Sequence, residues 1–345
     1  MRKALFLAAI MLATTSNVAL ASGKLIAVSW KTFQEERWKT DEAAIKAVVE
    51  AAGDKYISTD AQNSAQKQAA DIEGLIAQKP DVIIVVAYDS DGILPSIKAI
   101  KDAGIKAISY DVQFEDPDSL YITFDNVGVG RLMAKTMLAH GKKEGNFAFI
   151  KGDKGDPNAT FLFHGIQEVL KPEIDSGKIK VVCDTFTDGW KPDNAQKNME
   201  QCLTANNNKV DAVISENDGM ASGVVAALTA QGLAGSVPVT GQDGDKAALN
   251  RVALGTQLVS VWKDSRILGK EAGMAAVALA DGKPVSSLKG VTTFSSGKKG
   301  VKMNAILLQP DPITKANLED VIKAGWVTKA EVCAGVKAGA VKACD

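Results

Sequence analysis

DVIIVVAYDSDGILPSIKAIKDAGIKAISYD, residues 81–111, holds a complete strand–helix–strand unit. Val82 to Tyr88 is a nearly unbroken apolar run, the pattern of a strand buried on both faces. Ile93 to Ala103 then carries apolar residues at helical spacing and stops at Gly104, and Ala107 to Asp111 returns to strand. Repeated along a chain, this βαβ order predicts a parallel sheet covered by helices on both faces.

The same rhythm extends in both directions. Upstream, Leu25 to Trp30 reads as a strand, and Thr40 to Ala52 and Gln66 to Gln78 as helices, the second ended by Lys79-Pro80. Tyr121 to Asp125 is a further strand. A second series follows, with strands at Phe147 to Ile150, Ile179 to Phe186, Val210 to Ser215 and Val237 to Gln242. Its helices are Phe161 to Leu170, Asn194 to Ala205 and Met220 to Gln231. Val259 to Trp262 precedes one more helix, Ile267 to Leu279, before Gly290 to Leu308 and the tail. A chain of 345 residues exceeds one ordinary core, and each half is long enough for its own doubly wound α/β domain. No linker or low-complexity tract separates the halves, which fits a chain crossing between them on short segments.

The N-terminus reads as a secretory leader. Arg2 and Lys3 precede the apolar run Ala4 to Ala13, and Ala19-Leu20-Ala21 offers a cleavage site before Ser22. Loss of residues 1–21 would leave 324 of the 345 and move the formal charge from −1 to −3 by removing Arg2 and Lys3. Near-balanced, interspersed charge argues against nucleic acid or an anionic membrane as the main partner. An oxidising compartment permits disulfides among Cys183, Cys202, Cys333 and Cys344. A helix returning antiparallel to its strand would bring Cys183 near Cys202, and Cys333–Cys344 would clip the tail, although four cysteines allow three connectivities.

In open α/β sheets ligands bind beyond the carboxyl ends of the strands. Those ends read Ser29-Trp30, Tyr88-Asp89, Tyr110-Asp111 and Asp125-Asn126 in the first half. In the second they read Asp184, Glu216-Asn217-Asp218, Gln242-Asp243 and Trp262-Lys263. Carboxylates accept from vicinal hydroxyls, amides both donate and accept, and aromatic faces cover a sugar's C–H face, so the set suits a neutral polyol. Single Asp or Asn residues at such ends also serve as helix N-caps, and Asp89, Asp193 and Asp245 fit that role.

Enzyme signatures are sparse. The two histidines, His140 and His164, fall in expected helices, and neither a G-x-S-x-G elbow nor an H-E-x-x-H motif occurs. Gly128-Val129-Gly130 lacks the third glycine of a dinucleotide fingerprint, and Asp89-Ser90-Asp91-Gly92 fails the EF-hand spacing and reads as a βα turn. No cofactor and no metal are implied.

Several segments resemble the periplasmic sugar-binding proteins of ABC importers, specifically the D-xylose-binding branch. They include Glu36-Arg37-Trp38, Phe124-Asp125-Asn126, Leu170-Lys171-Pro172, Thr187-Asp188-Gly189-Trp190, Leu203-Thr204-Ala205-Asn206-Asn207-Asn208, Gly241-Gln242-Asp243 and Trp262-Lys263. Their order and spacing, over nearly all of the chain beyond the leader, carry the likeness. The resemblance implies the type I periplasmic binding protein fold, two doubly wound Rossmann-like lobes joined by a three-segment hinge. It assigns 24–126 plus 264–292 to the N-terminal lobe and 127–263 plus 293–345 to the C-terminal lobe. By position it implies Arg37, Asp111, Asp156, Asn158, Asn217, Asp243 and Lys263 as sugar ligands, Trp190 as the stacking aromatic and Phe33 as the opposite face, with Trp38 in the core. It further implies a monomer in the periplasm that delivers a monosaccharide, D-xylose or a related pentose, to an ABC permease. The alternatives are a binder of a different sugar or polyol that also serves a chemoreceptor, and a secreted sugar-acting enzyme. Two positions depart from the family pattern. Val112 stands where an arginine commonly follows the Asp, and Pro157 where a second Asn is frequent. Either the sugar presents an apolar edge beside Val112, or another donor such as Gln113 or Lys263 takes over from that arginine.

Overall fold

The computed structural model describes residues 23–345, so the expected leader and its cleavage point lie outside the described residues. The first lobe is built from β1 (Leu25–Trp30), α1 (Arg37–Ala51), β2 (Lys55–Asp60), α2 (Ala65–Ala77), β3 (Val82–Val85), α3 (Leu94–Asp102), β4 (Lys106–Tyr110) and β5 (Leu120–Phe124). The second contains α4 (Asn126–Ala139), β6 (Gly145–Lys151), α5 (Pro157–Asp175), β7 (Ile179–Phe186), α6 (Pro192–Ala205), β8 (Ala212–Ser215), α7 (Asp218–Ala230), β9 (Thr240–Gln242), α8 (Lys246–Leu254) and β10 (Val259–Trp262). The chain then returns through α9 (Ser265–Ala280), β11 (Thr292–Phe294) and β12 (Met303–Leu308) before β13 (Asp311–Ile313), α10 (Leu318–Lys323) and α11 (Lys329–Val332).

The first sheet has seven strands in the order β2-β1-β3-β4-β5-β12-β11, all parallel except the β11–β12 pair. The second lobe repeats the order as β7-β6-β8, joined by the single bridge Val213–Val239 to β9-β10-β13. Both lobes are therefore doubly wound, with strand order reversing beside β1 and beside β6. Ligand clefts form at such switch points. Each lobe buries its own apolar core, one around Ile26, Ile84 and Leu268, the other around Phe147, Ile214 and Met220.

Three segments join the lobes: β5 to α4 at Asp125, β10 to α9 at Asp264, and β12 to β13. Asp125 N donates to Leu308 O at 2.8 Å and ties two of them together. The third crossing comes later than the family pattern suggested. Residues 293–308, expected in the C-terminal lobe, belong to the first sheet, where Ala305 aligns with Tyr121 and Ile306 with Ile122. The physical reason is the otherwise open edge of β5, which this apolar strand covers. β2 escaped the sequence reading because Lys55-Tyr56-Ile57-Ser58-Thr59-Asp60 is a polar, half-exposed edge strand. Both disulfides, Cys183–Cys202 and Cys333–Cys344, are formed, with Cα separations of 6.0 and 5.4 Å. Among the described residues no helix is long and apolar enough to cross a membrane.

Candidate functional site

The loops after β1, β4, β6, β7, β8, β9 and β10 converge between the lobes on a narrow cavity of about 30 Å³. It is lined by Arg37, Asp111, Asp156, Asn158, Trp190, Asn217, Asp243 and Lys263, so eight of the nine residues implied by the resemblance meet there. Phe33 does not. Its ring packs on Trp30, centroids 5.5 Å apart, and it belongs with the first-lobe core.

Arg37 opens α1 and is the centre of the arrangement. Its guanidinium reaches Asp41 Oδ2 at 3.2 Å, Asp111 Oδ2 at 2.8 Å and, across the lobes, Asp243 Oδ1 at 3.4 Å. The group also lies over the Trp38 ring, 4.4 Å from its centroid. Burial opposes its charge, but Asp111, Asp41 and Asp243 outweigh that and hold Arg37 well above its ordinary value. For Asp111 burial pulls upward, and Arg37, Lys263 and Lys31 more than reverse it, so its carboxyl sits below the usual range. Asp41, fully buried behind Arg37, is pushed up to about 6 by burial, despite Arg37 and a hydrogen bond from the Tyr110 hydroxyl.

From the second lobe, Asp156 caps α5, accepting from Asn158 N at 2.9 Å, and Asn217 caps α7, accepting from Met220 N at 2.8 Å. Capping and cavity lining thus coexist at one residue, because the other face of each side chain is turned toward the cleft. Of the three proposed caps, Asp245 precedes α8 without a side-chain capping bond, Asp193 lies inside the first turn of α6, and Asp89 closes a turn onto Gly92 N. Asn158 Nδ2 donates across the lobes to Asp111 Oδ1 at 3.1 Å, and Lys263 pairs with Asp243 at 2.9 Å. Asp111, Trp190 and Asp243 hold positive φ values of 57°, 56° and 101°. Such backbone is costly for residues other than glycine and concentrates at functional sites.

Four cavity residues went unforeseen as ligands: Lys31, Glu35, Trp38 and Gln242. Lys31 lies one residue beyond the β1 end, so extending the strand-end rule by one position would have found it. Gln242 shares its strand end with Asp243 and lines the cavity beside it. Trp38, read as core, is both: it is 3% exposed within the first core, yet one face borders the cavity. Val112 is fully buried in the first core and does not line the cavity. Gln113 turns into a wider neighbouring groove of about 1000 Å³, bordered also by Phe161, Phe294 and Lys298, which holds none of the nine residues. Trp190 Nε1 and Gln242 Oε1 are buried in the cavity wall without a hydrogen-bond partner among the described residues. One donor and one acceptor left idle in a buried wall suit a hydroxylated occupant. Among the described residues no group of three His, Cys, Asp or Glu could hold a metal ion.

The chain matches the family model described as the periplasmic binding protein domain over residues 26–284. It is 39% identical over 320 residues to the D-xylose-binding periplasmic protein of Escherichia coli, covering 92% of this chain and 95% of that one. The D-xylose-binding periplasmic protein of Haemophilus influenzae is 36% identical over 319 residues, covering 92% and 94%. Among solved structures, an ABC transporter solute-binding protein from Clostridium phytofermentans with bound β-D-glucose superposes with a TM-score of 0.81 at 27% identity, covering 90% of this chain and 100% of that one. The chain belongs to the periplasmic binding protein family, on the branch of the D-xylose-binding periplasmic proteins.

Proposed function

We propose that the protein is the periplasmic solute-binding component of an ABC sugar importer. It captures one monosaccharide, D-xylose or a related pentose, between its lobes and delivers it to the membrane permease. The leader expected over residues 1–21 serves export to that compartment. Arg37, Asp111, Asp156, Asn158, Asn217, Asp243 and Lys263 hold the sugar's oxygens, and Trp190 covers a C–H face. The observation that carries this reading is the meeting of all eight, from both lobes, around one polar cavity. Each cavity Asp is committed to a cation: Asp111 to Arg37, Asp156 to Lys31, and Asp243 to both Arg37 and Lys263. Carboxylates neutralised in this way suit hydroxyl recognition better than acid–base catalysis, which favours a binding protein over an enzyme.

A thermal-shift screen over pentoses, hexoses and polyols tests the proposal. A ligand at about 1,000 times its Kd stabilises the folded protein by roughly 4 kcal/mol. The pentose arm is expected to shift Tm most. A panel in which no monosaccharide shifts it counts against the proposal.

A further inference from the structure

We infer that Lys31 is the donor that reads a sugar hydroxyl from the first lobe, in place of the guanidinium missing at Val112. This rests on the monosaccharide reading of the cavity and adds to it a residue that decides which sugar fits.

Neither expected substitute stands on the first-lobe wall. Gln113 is buried with its amide nitrogen 3.5 Å from Met303 Sδ and borders the neighbouring groove. Lys263, at the end of β10 in the second lobe, is held by Asp243 at 2.9 Å. Lys31 does meet the requirement. It follows the last residue of β1, at the switch point of the first sheet, and its backbone is pinned by Asn63 N donating to its carbonyl at 2.8 Å. Its side chain is 7% exposed, borders the cavity, and places Nζ 3.0 Å from Asp156 Oδ2 in the opposite lobe. Nζ also lies 5.5 Å from the centroid of the Trp38 ring. Burial would favour loss of its proton, but Asp156, Glu35 and Asp111 outweigh burial and keep the group charged.

An ammonium carries three N–H donors. Among the described residues one hydrogen bond from Nζ is found, to Asp156. Two further N–H donors of this buried cation are therefore available to an occupant of the cavity that Lys31 borders, and leaving buried donors unpaired is costly. A hydroxyl placed between Lys31 and Asp156 accepts from the first and donates to the second, so the two become a matched pair for one –OH. Because they belong to different lobes, a sugar lacking that hydroxyl loses one hydrogen bond to each lobe.

The test is calorimetric titration of the full chain with D-xylose and its 2-, 3- and 4-deoxy analogues, for the wild type, Lys31→Met and Lys31→Gln. Thermal unfolding of each unliganded variant serves as the folding control. The second variant is read in the same way should Lys31→Met fold poorly. Loss of a charged hydrogen bond predicts about 10- to 100-fold weaker D-xylose binding in the variants. For one deoxy analogue wild type and variant should then bind within about two-fold, since the partner hydroxyl is already gone. Variants that bind D-xylose as the wild type does, or a loss equal for the parent and every analogue, overturn the inference and leave Lys31 as a lobe latch. A wild type that binds neither these sugars nor any monosaccharide of the thermal-shift panel overturns the monosaccharide reading itself, and this inference with it.

Discussion

At the scale of single residues, the candidate site is organised around one buried arginine shared among three carboxylates. Truncation by Arg37→Met leaves Asp41, Asp111 and Asp243 without that cation. Removing one partner of a buried pair costs about 3–5 kcal/mol, so urea unfolding should show a loss of that size and calorimetry no measurable sugar binding. Asp41 adds a pH dependence. Its carboxyl is pushed up to about 6 by burial, so below that value it becomes neutral and no longer anchors Arg37 Nε at 3.2 Å. Sugar affinity is expected to fall as pH drops through about 6, and Asp41→Asn to abolish that step. Stability carries the opposite sign. The folded state binds this proton more tightly than the unfolded one, so the contribution is full below the ordinary carboxylate range and is lost as pH rises through about 6. The difference between wild type and Asp41→Asn in unfolding curves from pH 4 to pH 7 isolates it. Residue chemistry at strand ends was legible in the sequence because strand ends are where the fold delivers ligands. Trp38 borders the cavity as well as the core, and Phe33 does not reach the cavity, because the direction of each ring is set by packing on Trp30.

At the scale of elements, the loops that carry the site are themselves fastened by buried polar clamps. Asp218, fully buried at the start of α7, accepts from Gly244 N and Asp245 N at 3.0 Å, from Ser260 Oγ at 2.5 Å and from Gln257 Nε2 at 2.7 Å. It thus fixes the β9–α8 turn in which Asp243 holds its left-handed backbone. Asp218→Ala should destabilise the protein by about 3 kcal/mol or more and weaken sugar binding, measured by chemical unfolding and calorimetry. The sequence could name Asp218 as a polar strand-end residue, but the partners that make it a clamp lie 26 to 42 positions away. Gly152, at the end of β6, is held to glycine by proximity: a β-carbon there would overlap the Trp190 indole. Gly152→Ala should therefore displace Trp190 and weaken binding at an overpacking cost of about 1–3 kcal/mol. The Cys183–Cys202 disulfide was legible because a strand and its returning helix bring the two together by simple geometry. Reducing that bridge, with its sequence separation of 19, should lower stability by about 3 kcal/mol.

At the scale of the whole molecule, two lobes of the same strand order face each other across three crossings. The duplicated βαβ rhythm and the absence of a linker made that architecture readable. The third crossing was misplaced because strand pairing with β5 is a non-local choice that Met303–Leu308 does not announce. Direct pairs across the cleft, Arg37 with Asp243 and Lys31 with Asp156, accompany a cavity of about 30 Å³, room for roughly one water. On the proposed function a pentose parts those pairs on its way in, so the lobes are expected to open to admit it and close around it. Small-angle scattering is expected to give a smaller radius of gyration with sugar bound than without. Calorimetric titration with D-xylose of the wild type beside Asp111→Ala tests most directly that one monosaccharide binds between the lobes. One-to-one saturable binding of D-xylose or a related pentose by the wild type, abolished in a folded Asp111→Ala variant, is the predicted result. Binding that survives this substitution unchanged, or no heat with any monosaccharide, would contradict it.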